Sequence, residues 1–93
     1  MLVSALLVGL ASCTGYHTRK GNLYYDNIAY SSAIDHYEKV YRKTNDAEIE
    51  LKLADSYYKI SQLDSAEALY KRAADRGSRA PKLLFDYGKV LMA

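Results

Sequence analysis

Small and aromatic residues recur at a fixed interval along this chain, and that recurrence limits the folds open to it more than any other feature. One constant offset carries Gly21 onto Ala54, Tyr24 onto Tyr57 and Tyr25 onto Tyr58. The same offset carries Ala33, Tyr37 and Val40 onto Ala66, Tyr70 and Ala73, and Gly88 follows Ala54 at nearly the same interval. A period of roughly 34 residues means one supersecondary unit repeated and stacked, because a single unit cannot bury its own apolar face.

Each unit reads as two helices. Leu51, Ala54, Tyr57 and Tyr58 fall at three- and four-residue spacing, on one face of a helix over residues 47–58. Residues 59–62 read as a loop. A second segment then puts Ala66, Leu69, Tyr70 and Ala73 on one face, with Asp64 near its start as an N-cap and Gly77 after its end as a C-cap. Asp26 and Asn27 fill the corresponding turn of the first unit. Pro81 opens a third unit at the favoured first helical position. One proline and five glycines in 93 residues leave long uninterrupted stretches, which argues for one small all-α domain and against a sandwich of short strands.

On these residues the chain resembles the tetratricopeptide repeats, over about residues 15–93. In that family the first helix carries a large residue and then a small one, here Leu53–Ala54 and Tyr87–Gly88, with an aromatic following at Tyr24 and Tyr57. The second helix carries the Ala–aromatic–Ala rhythm of Ala66, Tyr70 and Ala73. Val40 replaces the last alanine in the first copy, and Lys20 stands where Leu53 stands, a departure a terminal repeat tolerates. The resemblance implies a right-handed stack of antiparallel helix hairpins: two hairpins at about 15–46 and 47–80, plus one extra helix at 81–93. It assigns Tyr24, Tyr37, Tyr57, Tyr70 and Tyr87 to the repeat core. It also implies a concave groove floored by Tyr25 and Tyr58 and lined by Asn22, Asp26, Glu48, Leu51, Asp55, Lys59, Lys82, Phe85 and Lys89. Mixed charge over an aromatic floor suits an extended or helical peptide bound with modest affinity. Packing against the adjoining hairpin is the competing role for Tyr25 and Tyr58. No Lys–Asn cluster able to grip a C-terminal carboxylate stands in that groove.

The first twelve residues differ from the rest. Every Lys, Arg, Asp and Glu lies after Cys13, and residues 1–12 form an apolar run too short to span a bilayer as a helix. Its length is that of a signal-peptide core. Leu10, Ala11, Ser12 and Cys13 resemble a bacterial lipobox, an aliphatic residue and two small ones before the cysteine. The resemblance implies removal of residues 1–12, lipidation of Cys13 and a short linker over 13–20. Several acyl chains would give stable anchoring where one does not. Thr14 stands where an Asp would signal inner-membrane retention, so the implied location is the periplasmic face of the outer membrane. Met1 is followed directly by Leu2, without the basic start of a signal peptide; a start further upstream, or a packed N-terminal helix in a cytoplasmic protein, are the readings this leaves open.

Little in the chain points to chemistry. Thirteen basic residues against eleven acidic ones give a net charge of +2 with no basic stripe, so nucleic acid is not an expected partner. One cysteine excludes an internal disulfide framework and a thiolate zinc cluster. His36 has no ligand or catalytic partner one helical turn away and reads as solvent-facing. His17, four residues after Cys13, has metal-ligand spacing, but lipidation would consume the thiol. Asp55, Asp64 and Glu67 read as exposed acids or helix-start residues, and there is no Gly-rich phosphate loop. The expectation is a non-catalytic protein–protein interaction scaffold without cofactor or metal. It is expected to hold a protein or peptide of the envelope and to reach the membrane through Cys13. The order of lipobox, polar residues and repeats also resembles the N-terminal region of Bacteroidota-type envelope lipoproteins, where a propeller-like segment and an OmpA-like domain follow. The chain is accordingly expected to be a piece of a longer protein, with an uncovered last helix prone to self-association. A soluble cytosolic adaptor and the binding module of an enzyme are the alternatives.

Overall fold

In the computed structural model, residues 2–77 and 81–92 are described, with side chains from 13–77 and 86–92. Five helices follow one another: α1 (Leu2–Asp26), α2 (Tyr30–Thr44), α3 (Ala47–Lys59), α4 (Leu63–Asp75) and α5 (Pro81–Met92). Among the described residues there is no strand. The all-α hairpin stack expected from the period is therefore the observed fold. Residues 13–20, read from sequence as a linker, are helical and continuous with α1.

The amphipathic spacing determines what each helix buries. Ala33, Ile34, Tyr37, Val40 and Tyr41 form the buried stripe of α2, and Ala66, Leu69, Tyr70 and Ala73 that of α4. Leu53 and Ala54 of α3 are fully buried between them. Burying a leucine completely contributes roughly 2 kcal/mol. Gly21 sits where a Cβ would come 2.6 Å from the Tyr37 ring, so the first hairpin closes over a missing side chain.

The turns inside both hairpins are built alike. After α1, Ala29 N bonds Tyr24 O at 2.8 Å and Ile28 N bonds Tyr25 O at 3.1 Å, with Ile28 at φ 62°. After α3, Gln62 N bonds Tyr57 O at 2.9 Å and Ser61 N bonds Tyr58 O at 3.0 Å, with Ser61 at φ 65°. These are paired 6→1 and 5→2 closures around a left-handed residue, repeated at equivalent positions of the two units. The closure at Gln62 starts α4 at Leu63, so Asp64 is not its N-cap: Gln62 is, without a side-chain cap bond, and Asp64 lies in the first turn. Asp46 is the side-chain cap, accepting from Glu48 N and Ile49 N to start α3. Gly77 follows α4 at φ 85°, donating to Ala74 O at 2.9 Å, as its C-terminal position in the sequence implies.

Contacts between hairpins run in register. From α1 to α3, Lys52 Nζ donates to Asn22 Oδ1 at 3.0 Å and the Tyr25 hydroxyl donates to Asp55 Oδ2 at 2.5 Å, each spanning 30 residues. From α2 to α4, Arg72 Nη1 donates to the Tyr41 hydroxyl at 3.1 Å and Arg76 Nη1 to Asn45 O at 2.7 Å, each spanning 31. Equivalent helices thus lie side by side and parallel, one repeat apart. α5 packs on α4, where Tyr87 stacks on Tyr70 with centroids 6.3 Å apart.

Candidate functional site: the groove between the hairpins

Where α1 and α3 run side by side, a cavity of about 520 Å³ opens between them, with Val40 and Thr44 of α2 also in its lining. Thr14, Thr18, Arg19 and Asn22 line it from α1, and Glu48, Ile49 and Lys52 from α3. Asn22 is its hub: its Oδ1 accepts from the Tyr37 hydroxyl at 2.6 Å as well as from Lys52. Lys52 also lies 3.8 Å from the exposed Glu48 carboxylate, one helical turn away.

Of the residues assigned to a groove from sequence, Asn22 and Glu48 line this cavity. Tyr25 and Asp55 are bonded to each other, so that donor and acceptor are engaged with one another. Asp55 is buried at 6% exposure, not on an exposed face, because Tyr25 covers it. Leu51 and Tyr58 are half-buried and pack against the hydrophobic core. Lys59 is exposed at the end of α3, and Lys89 is exposed 3.8 Å from Asp86. Asp26 is exposed at the end of α1. The side chains of Lys82 and Phe85 lie outside the described residues. Sequence reasoning passed over Lys52 and Thr18, although the i, i+4 spacing of Glu48 and Lys52 was a usable signal.

Burial first, and the Asp55 bond second, raise the Tyr25 hydroxyl well above its usual range. Tyr37 is pushed up to about 12 by burial, with Asp26 and Glu48 adding to it. Tyr57 is pushed up to about 12 by burial and by its 2.6 Å bond to Glu38 Oε1. These phenols are neutral donors at physiological pH, suited to holding carboxylates and amides and not to acting as bases.

Outside the groove, one residue departs from its expected setting and one was not anticipated. His36 is not solvent-facing: it is half-buried, stacked on Tyr24 at 5.6 Å, with its Nδ1 2.9 Å from Nδ1 of His17. The partner comes from the facing helix, where spacing along one helix could not reveal it. Glu50 is fully buried, hydrogen-bonded by the Tyr41 hydroxyl and 3.4 Å from Arg76 Nη2. Cys13 is a free, exposed thiol on α1. Among the described residues, no three His, Cys, Asp or Glu side chains converge as metal ligands, and no helix is long and apolar enough to cross a membrane. Compared with protein-family models, curated proteins and solved structures, the chain matches none.

Proposed function

We propose that this chain is a non-catalytic scaffold of tetratricopeptide type that holds an extended peptide of another protein in the α1–α3 groove. The supporting observation is the open cavity of about 520 Å³ between two parallel, repeat-equivalent helices, lined by hydroxyls, an amide and both signs of charge. Such a surface offers hydrogen bonds to a peptide backbone beside an apolar share from Val40 and Ile49, which suits an extended peptide held with modest affinity. The test is co-purification with a Glu48→Ala/Lys52→Ala variant whose circular dichroism matches the parent. The expected result is loss of the partners that the parent retains. Unchanged recovery would count against the groove.

The same reading anchors the scaffold by lipid on Cys13, at the periplasmic face of the outer membrane. Cutting before Cys13 would leave residues 13–26 as the first helix, comparable in length with the four that follow it. Exposure of Cys13 leaves its thiol reachable for alkylation. Labelling cells with a clickable fatty acid tests it. Absence of label, or label that survives Cys13→Ser, would favour a soluble adaptor instead.

A further inference from the structure

The repeat register relates two polar sites that differ in one respect. In the second hairpin the buried Glu50 carboxylate is held by Arg76, at 3.4 Å, and by the Tyr41 hydroxyl, which Arg72 in turn contacts at 3.1 Å. The first-hairpin equivalents of Arg72 and Arg76 are Lys39 and Lys43, and the equivalent of Glu50 is His17. Both basic positions are therefore kept, while the carboxylate between them is replaced. A cavity of about 280 Å³ lined by His17, Lys39, Arg42 and Lys43 opens at this position, as one of the same volume opens beside Glu50 and Arg76, but here no carboxylate is among the lining residues.

The surroundings supply no internal replacement. Among the described residues, none of Lys39, Arg42 and Lys43 forms an ion pair. Glu38, one turn before Arg42, gives its carboxylate to Tyr57 of α3, and Arg42 Nε donates to the Glu38 backbone oxygen at 3.4 Å. Burial first, and then the charges of Lys39, His36 and Lys43, lower the proton affinity of His17.

We propose that the cavity formed by His17, Lys39, Arg42 and Lys43 is a carboxylate-accepting site that docks an acidic peptide segment of a partner protein. The partner's Glu or Asp would take the place that Glu50 takes one repeat later. This site lies between α1 and α2 and not in the α1–α3 groove, so it stands whether or not the groove binds anything. Surface cations next to a shaped cavity also steer an acidic partner toward it.

The test uses the full chain at low salt and an N-acetylated, C-amidated hexaglutamate peptide, followed by NMR. Saturable shifts should concentrate on His17, His36, Lys39 and Lys43. Lys39→Gln/Lys43→Gln should weaken binding about fivefold or more, the scale of two partly exposed charge pairs. Lys71→Glu changes the net charge as much, on exposed α4 surface, and should change affinity less than about twofold. His17→Glu restores an internal carboxylate and should abolish peptide binding; where that variant fails to fold, the double lysine variant carries the comparison. Shifts spread evenly over the surface, equal weakening by Lys71→Glu, or full binding by a folded His17→Glu variant would each overturn the site.

Discussion

At the scale of single residues, repeat-equivalent positions carry the same side chain in different surroundings, so identical substitutions should have opposite effects. Tyr37 and Tyr70 are both fully buried, but the Tyr37 hydroxyl bonds Asn22 while the Tyr70 hydroxyl has no hydrogen-bond partner among the described residues. The cause lies in their neighbours: Asp55, the equivalent of Asn22, is turned toward Tyr25. Tyr37→Phe should cost about 1 kcal/mol in urea unfolding, and Tyr70→Phe should gain about the same by removing an unpaired buried hydroxyl. Glycine repeats the contrast. Gly21→Ala drives a methyl into the Tyr37 ring, which has no room to move, and should cost about 1–3 kcal/mol. Gly88 has nothing within 4 Å of the added methyl, so Gly88→Ala should gain about 0.5–1 kcal/mol from helix propensity. Gly21, Ala54 and the tyrosines were legible in the sequence because close helix contact selects size, and size recurs with the period. Glu50 and His36 were not, because their partners sit on other helices and polar pairing leaves no periodic trace.

At the scale of elements, the helix ends and the first hairpin carry the tension. Ile28 terminates α1 in the left-handed region while 74% exposed, so a β-branched side chain accepts the backbone cost without burial in return. Ile28→Gly should raise stability by about 1 kcal/mol, read as a higher denaturation midpoint with an unchanged slope. The hairpin period and the turn positions were readable from spacing. This left-handed isoleucine was not, since glycine or asparagine is the residue such a turn normally shows. Within the first hairpin, α1 and α2 meet at the imidazoles of His17 and His36, 2.9 Å apart, and both cannot carry a proton between them. Burial, then Lys39, His36 and Lys43, hold His17 below its ordinary 6.5. The unfolded chain therefore takes up a proton that the folded one refuses. Stability is fully present above that value and is lost as pH falls below it, down to the lower folded value. The melting temperature should drop between about pH 7.5 and 5.5, and His17→Gln should flatten that drop by removing the titrating group.

At the scale of the whole molecule, a stack in which each hairpin touches only the adjoining one should open at α5, whose far side is exposed. α5 buries Val90 and half-buries Tyr87 against α4, but Leu91 is 60% exposed and Met92 88%. The centre is different: Leu53 and Ala54 are enclosed by α2 and α4, and Tyr41, Glu50, Arg72 and Arg76 tie three helices together. Stability in such an array is a sum of unit and interface contributions, so damage should stay local at the edge and spread from the middle. Val90→Ala should lower hydrogen-exchange protection in α5 by about 1–2 kcal/mol and leave the amides of Leu53 and Ala54 unchanged. Leu53→Ala should lower protection through α2, α3 and α4 together, by about 2–5 kcal/mol. If Val90→Ala instead lowered protection equally in every helix, the molecule would unfold as a single unit. The coupling between hairpins would then exceed what contacts between adjacent helices supply.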